Sequence, residues 1–349
     1  MATKRTGGAK PDIPGGPHKL RTLNGGDLEA IIAIDRVAAG RSRRGFYEKR
    51  LAHLTREPGA FVALAAELGG RLEGFAFARL YEGEFGGGTP EASLDAIGVD
   101  AKASRHGIGR ELVDGVAKAM RVHGVKELST QADWTDAELM GFFAHTNFTL
   151  APRIVLECTV ADAEERRPLV PPVRTKTPAS ASGAAVELDY SGPSGDDFES
   201  LARDRVPIRS MNPGDLAAIV HIDKRITGRD RQAYYKRKLA EAMEESAVRV
   251  SLVAELDGRV AGVIMARVEF GEFGHSETEA VMDTIGVDPG YSHKDVASAL
   301  LSQLMTNLAG LRVERLRTEV GWNHFGLLSF LDRMGFQPHR RLALRRALG

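Results

Sequence analysis

The chain contains itself twice. Displaced by 188 positions, its first half lies on its second without a gap. Asp95-Ala96-Ile97-Gly98-Val99-Asp100 falls on Asp283-Thr284-Ile285-Gly286-Val287-Asp288. Asn24, Asp27, Asp35, Gly40, Arg41, Tyr47 and Leu51 fall on Asn212, Asp215, Asp223, Gly228, Arg229, Tyr235 and Leu239. Trp134 falls on Trp322, the only other tryptophan. Solenoid repeats run to about 20–50 residues, so a period this long means two copies of a whole domain. The order is a tail over 1–17, a first domain over 18–160, a linker over 161–205 and a second domain over 206–349. The tail is rich in Gly, Pro and Lys, and the linker carries Pro168, Pro171, Pro172 and Pro178, so neither is expected to pack. The two copies are consistent with a packed pseudo-dimer and equally with an open tether.

Lys and Arg number 47, as do Asp and Glu, so the formal net charge is zero. Nothing pulls such a chain towards nucleic acid or an anionic membrane, and neither is expected as a partner. The single cysteine, Cys158, cannot form an internal disulfide. With no apolar run of membrane-spanning length and no leader-like start, a cytoplasmic protein is expected.

Within a copy the elements are legible. A short strand at Leu20–Leu23 precedes helix caps at Asn24 and Asp27 and an apolar helical face at Leu28, Ile31, Ile32 and Ile34. A second helix carries Phe46, Tyr47 and Leu51. Strands at Phe61–Ala65 and Leu72–Leu80 flank a glycine turn and form a hairpin. A strand from Ala92 to Val99 follows, with Gly98 marking a bulge or a close backbone approach. Then come a helix at Gly107–Val122, a strand at Val125–Ala132, a helix at Ala137–His145 and a strand at Arg153–Val160. The fold class is α/β: two tandem domains, each a mixed, mostly antiparallel open sheet flanked by helices.

Between the central strand and the following helix lies Ser104-Arg105-His106-Gly107-Ile108-Gly109. Glycines here let backbone N–H groups turn towards an anion, and the helix N-terminus adds its positive end. Strand, Gly-rich turn and helix are a pyrophosphate cradle. Gly-x-Gly before a helix is also found in ordinary tight turns.

This loop and the element order resemble the GNAT superfamily of acyl-CoA-dependent N-acetyltransferases, whose signature is Q/R-x-x-G-x-G/A after a strand that often ends in a V-D-P turn. The second copy has Val287-Asp288-Pro289 there, and Phe142 to Phe148 lies on Phe330 to Phe336, similar to the family's late helix and Gly-Phe ending. The resemblance covers both copies. It implies acetyl-CoA (or CoA) held by Ile97, Gly98 and Val99 along the strand and by Ser104, Arg105, His106, Gly107, Ile108, Gly109 and Arg110 at the loop. It implies transfer to a primary amine of a small molecule or a protein lysine, with the thioester carbonyl polarised by a backbone N–H. No metal is implied.

Departures from the family divide the copies. The first has Ser104 where Gln or Arg is usual but keeps both glycines. The second reads Ser292-His293-Lys294-Asp295-Val296-Ala297, with Asp295 at the first glycine. A carboxylate repels pyrophosphate and an L-residue resists the turn, so the first copy is expected to be the cofactor domain. Alternation along the central strand puts Glu91, Ser93, Asp95 and Ile97 on one face. Asp95 is the first candidate base and Glu91 the second; the competing reading of Asp95 is a hydrogen-bonded structural residue. The family's acid tyrosine is replaced by Phe143 and Leu331. Cys158 and His145 are weaker substitutes, read as a core residue and a helix cap. Glu84 and Phe85, in a Gly-Glu-Phe-Gly turn repeated at Gly271, are candidate acceptor contacts. Trp134 and Trp322 are read as packing residues. The alternative function is a non-catalytic CoA-binding or pseudo-enzyme subunit with a protein assembly partner.

Overall fold

The computed structural model describes residues 18–40, 42–56, 59–82, 90–160, 206–244, 250–270 and 278–349. The expected tail, the linker and the Glu84–Phe85 turn lie outside the described residues. The first repeat runs β1 (Lys19–Thr22), α1 (Leu28–Ala39), α2 (Arg44–Arg56), β2 (Phe61–Leu68), β3 (Arg71–Glu82), β4 (Pro90–Val99), α3 (Ile108–Val122), β5 (Glu127–Asp133), α4 (Ala137–His145), β6 (Thr149–Leu150) and β7 (Arg153–Thr159). The second runs β8 (Ile208–Ser210), α5 (Leu216–Thr227), α6 (Gln232–Glu244), β9 (Leu252–Leu256), β10 (Arg259–Phe270), β11 (Thr278–Val287), α7 (Val296–Gly310), β12 (Arg315–Gly321), α8 (Phe325–Arg333), β13 (Gln337–Pro338) and β14 (Arg341–Ala347).

The repeated polar residues set the helix entries. The Asn24 side chain accepts from the Gly26 N–H, and the Asp27 carboxylate accepts from the Asn24 N–H at 2.8 Å. This capping box satisfies N–H groups that a helix start leaves without partners. Arg21 donates to both Asp27 oxygens at 2.7 and 2.8 Å and to Glu67 at 2.5 Å, pinning the helix start to β2. Arg209, Asp215 and Glu255 make the same fork in the second repeat. Deeper in, Arg43 joins Asp35 to the Tyr47 hydroxyl, and Arg231 joins Asp223 to Tyr235. These residues, repeated at the same spacing, tie the first two helices of each repeat together.

The sheets do not follow the repeat boundary. One has the order β1-β2-β3-β4-β5-β14-β6, the other β13-β7-β12-β11-β10-β9-β8. The last long strand of each repeat is therefore exchanged. β14 pairs antiparallel with β5 from Arg341↔Asp133 to Ala347↔Glu127, and β7 pairs with β12 from Arg153↔Gly321 to Thr159↔Arg315. The exchange reaches the cores: Leu344 and Leu348 pack into the first repeat's core, and Leu156, Cys158 and Val160 into the second's. Of the two arrangements open to the sequence, the packed pseudo-dimer is the one adopted. Cys158, 2% exposed, is a core residue of the opposite repeat.

Each sheet is covered on both faces. In the first repeat, Ile108, Leu112, Val116 and Met120 of α3 cover one face, and Ile31, Ile34, Phe46 and Tyr47 of α1 and α2 the other.

Candidate active site

The site is the fork between the two central parallel strands. β4 and β5 pair only at Ala92↔Leu128 and Ser93↔Ser129. Where that ladder stops, side chains take over: Ser129 Oγ donates to the Ala92 carbonyl and Thr130 Oγ1 to the Leu94 carbonyl, each at 2.9 Å. Beyond Leu94 no registered pair joins the described strands, so they splay towards their C-terminal ends. In open α/β sheets ligands bind at that end of parallel strands. β11 and β12 repeat the splay, with pairing that ends at Val281↔Arg317.

A bulge sets the inner wall of the fork. Phe77 pairs with Ala96 and Ala78 with Leu94, leaving Asp95 without a cross-strand partner. Met265↔Thr284 and Ala266↔Met282 leave Asp283 in the same position. An extra residue shifts the alternation by one. The single face expected for Glu91, Ser93, Asp95 and Ile97 therefore breaks after Asp95. Ile97 and Val99 pack with α3, whereas Asp95 points to α2, where Arg50 lies 2.9 Å from it. Gly98 follows because a Cβ there would meet Phe75 at 2.7 Å and Ile34 at 3.3 Å.

Asp95 is 1% exposed and ion-paired with Arg50, which stacks over Phe46 and Phe61. Its counterpart Asp283 is held by Arg267 and by Lys238 at 3.3 Å, residues that stand at the repeat positions of Arg79 and Arg50. Burial would push the Asp283 carboxyl up, but these cations outweigh it and hold it down at about 2. Glu91 lies in a different field. Arg153 of the exchanged β7 lies 3.2 Å from it, 3.1 Å from Glu127 and 3.5 Å from Glu319. Burial pushes the Glu91 carboxyl up, against the opposing pull of Arg153.

The loop residues come together at the mouth of the fork. Gly107 has φ 84° and caps α3, and the space where its Cβ would sit is empty to 4 Å. The first helical bond returns from the Glu111 N–H to the Gly107 carbonyl. The N–H groups of Ile108, Gly109 and Arg110 thus lack intrahelical acceptors and face outward at the positive end of a 15-residue helix. The Ser104 hydroxyl donates to the Ala101 carbonyl and His106 Nδ1 lies 3.2 Å from the Ala103 carbonyl, within the loop, and Arg105 and Arg110 are exposed. Gly109 serves packing: its Cβ would lie 2.8 Å from Phe142, which seats α4 against α3.

The second loop keeps the turn despite its sequence. Asp295 adopts φ 55°, ψ 15°, so the expected conformational obstacle is not met; Asp is among the residues that enter this region at modest cost. What changes is charge. An exposed carboxylate stands at the cradle, with Lys294 drawn over the Tyr291 ring at 5.0 Å.

Other candidates resolve individually. Phe143 is 3% exposed and belongs to the core. His145 Nδ1 lies 2.6 Å from the Gly141 carbonyl, closing its helix end. Trp134 and Trp322 are not packing residues: they are 59% and 53% exposed. Each is held by its backbone N–H, Trp134 on the Arg340 carbonyl and Trp322 on the Pro152 carbonyl, both just ahead of an exchanged strand. Sequence reading missed Arg50 and Arg153. The only available signal for Arg153 was its recurrence as Arg341.

The acetyltransferase (GNAT) family model matches residues 28–148 and again 216–336. The chain belongs to the GNAT acetyltransferase family. A tandem GNAT protein from the clavulanic acid biosynthesis pathway is similar over 95% of this chain and 99% of its own, at TM-score 0.61 and 14% identity. A GCN5-related N-acetyltransferase from Sphaerobacter thermophilus is similar over 96% of both chains, at TM-score 0.55 and 15% identity. The glucosamine N-acetyltransferase region of a fungal multi-domain β-N-acetylglucosaminidase aligns over 95% of this chain and 38% of that one, at TM-score 0.60 and 13% identity. Likeness at these identities establishes the GNAT fold alone. No curated protein matches the sequence. No described helix is long and apolar enough to cross a membrane.

Proposed function

We propose that the protein is an N-acetyltransferase that moves the acetyl group of acetyl-CoA to a primary amine, on a small molecule or a protein lysine, in the fork of the first repeat. The observation that carries this reading is the open Gly107 turn at the mouth of the β4–β5 splay. A pyrophosphate fits the outward N–H groups of Ile108, Gly109 and Arg110, with Arg105 and Arg110 nearby as cations. The pantetheine arm fits beside Ile97, Gly98 and Val99, where β4 has left β5. Acetyl-CoA supplies the activated thioester; the chain supplies its placement.

The amine must lose a proton as its C–N bond forms. Of the two carboxylates on β4, Glu91 is pushed up by burial although Arg153 lies 3.2 Å away, the direction that favours proton uptake, whereas Asp95 is 1% exposed and held by Arg50 at 2.9 Å. The proposal gives proton removal to Glu91 and positioning of the bulge to Asp95. The Asp295 carboxylate repels a pyrophosphate, so the second repeat is assigned a supporting role. One observation favours a second reading, CoA binding without transfer: Phe143 and Leu331 are buried where the family's acid tyrosine stands.

Thiol release from acetyl-CoA with a panel of amines, polyamines, amino sugars and lysine peptides decides between them. Transfer that falls about 10²-fold or more in Glu91→Gln supports the first reading. Tight CoA binding with no thiol released by any amine supports the second.

A further inference from the structure

The exchanged strands carry a charge code. The two exchanged ladders share one register: Glu157 of β7 stands opposite Arg317 of β12, and Arg345 of β14 stands opposite Ser129 of β5. Glu157 and Arg345 are repeat equivalents, as are Arg315 and Glu127. In the exchanged arrangement Glu157 meets Arg315 at 3.5 Å and Arg345 meets Glu127 at 3.2 Å. Both contacts are attractive. Were each strand returned to its own repeat in the same register, Glu157 would stand beside Glu127 and Arg345 beside Arg315. Both contacts would then be repulsive, and Arg345 would also face Arg317.

We infer that these four residues select the exchange: the β5 edge takes an Arg-bearing strand, the β12 edge takes a Glu-bearing one, and each repeat rejects its own. Attraction alone would not do this, since side chains from 27% to 44% exposed make weak pairs. Selectivity comes from the difference between two attractions and two repulsions, the logic by which charged positions choose partners in other paired elements. The same code bars a homodimer built from either repeat alone, because such a dimer would pair like with like.

The test uses the full chain and two cysteine reporters. Ala132→Cys with Leu342→Cys reports the exchanged ladder, in which those residues are register partners. Ala132→Cys with Ile154→Cys reports the unexchanged one, because Ile154 is the repeat equivalent of Leu342. Each reporter is oxidised in three backgrounds: wild type, the neutral E157Q/R345Q and the reversed E157R/R345E. Wild type should cross-link at 132–342, and the neutral variant, whose strands neither edge prefers, should show both cross-links. The reversed variant should lose at least half of that cross-link and gain the 132–154 one, and 1 M NaCl should restore part of the original pattern. If the reversed variant fails to fold, the neutral one still decides: the inference stands if the 132–154 cross-link appears in it, and falls if it cross-links at 132–342 as fully as wild type. Equal 132–342 cross-linking in the reversed and neutral variants would also overturn it.

Discussion

Gln131 and Glu319 are 188 positions apart, equivalent residues of the two repeats, and they touch: Gln131 Nε2 donates to Glu319 Oε2 at 2.9 Å. Equivalent residues in contact place a local two-fold relation between β5 and β12. The same relation recurs at Trp134 on Arg340 and Trp322 on Pro152, and at Ala151 on Ala343 and His339 on Val155. The seam joins a polar contact at Gln131 and Glu319 to a small apolar cluster of Ala151, Val155 and Ala343, and strands cross it.

The crossing strand makes the first repeat depend on the last residues of the chain. Deleting residues 341–349 removes Leu344 and Leu348 from the first core and uncovers the edge of β5. Two buried leucines lost to cavities cost about 5 kcal/mol or more. Amide hydrogen exchange should show protection lost first in β5 and α3, with β10 and β11 retained longer. Loss confined to the second repeat would contradict the exchange.

Gly109 and Phe142 should be coupled. A methyl at 109 intrudes on the Phe142 ring at 2.8 Å, so Gly109→Ala should cost about 1–3 kcal/mol, the usual range for overpacking. Phe142→Leu should recover part of this in the double mutant. Additive losses in urea titrations would show that the two helices do not meet there.

Asp283 gives the second repeat an acid limb. Its carboxyl lies at about 2 when folded, below its ordinary value of 3.8. A depressed carboxylate stabilises the fold above its unfolded pKa, and that stability is lost as pH falls through the folded one. The loss should run from about pH 4 to about pH 2 and amount to about 2 kcal/mol. Asp283→Asn should flatten this limb and, by leaving the buried Lys238 and the half-buried Arg267 without that carboxylate, lower stability at pH 7 by about 3 kcal/mol. An unchanged pH profile in Asp283→Asn would contradict the assignment.

Both tryptophans are exposed, so intrinsic emission should be red-shifted and readily quenched by acrylamide in the folded protein. Trp134→Ala should change stability by no more than about 0.5 kcal/mol, as for other surface substitutions. Blue-shifted, quencher-protected emission would contradict the exposed placement.

Much of this architecture was legible in the residues. Asn24 and Asp27 announce the start of α1, and the apolar stripe from Leu112 to Met120 announces α3, because capping and helical period are local properties. The resemblance at Gly107 and Gly109 led to the family that the match at 28–148 and 216–336 shows. Strand exchange was not legible. Arg153–Val160 reads as a strand whichever sheet receives it, and the selecting charges at Glu127, Glu157, Arg315 and Arg345 gain meaning only with a register. The bulge at Asp95 was hidden for a related reason: one extra residue leaves composition unchanged and reverses every later side chain. The exposure of Trp134 was missed because aromatic residues at strand ends usually pack.

Calorimetric titration of acetyl-CoA into wild type, Gly107→Asp and Asp295→Gly tests whether the first repeat alone holds acyl-CoA. One site is expected in wild type, affinity reduced at least tenfold in Gly107→Asp, and a second site gained in Asp295→Gly. Two equal sites in wild type, or binding untouched by Gly107→Asp, would contradict it.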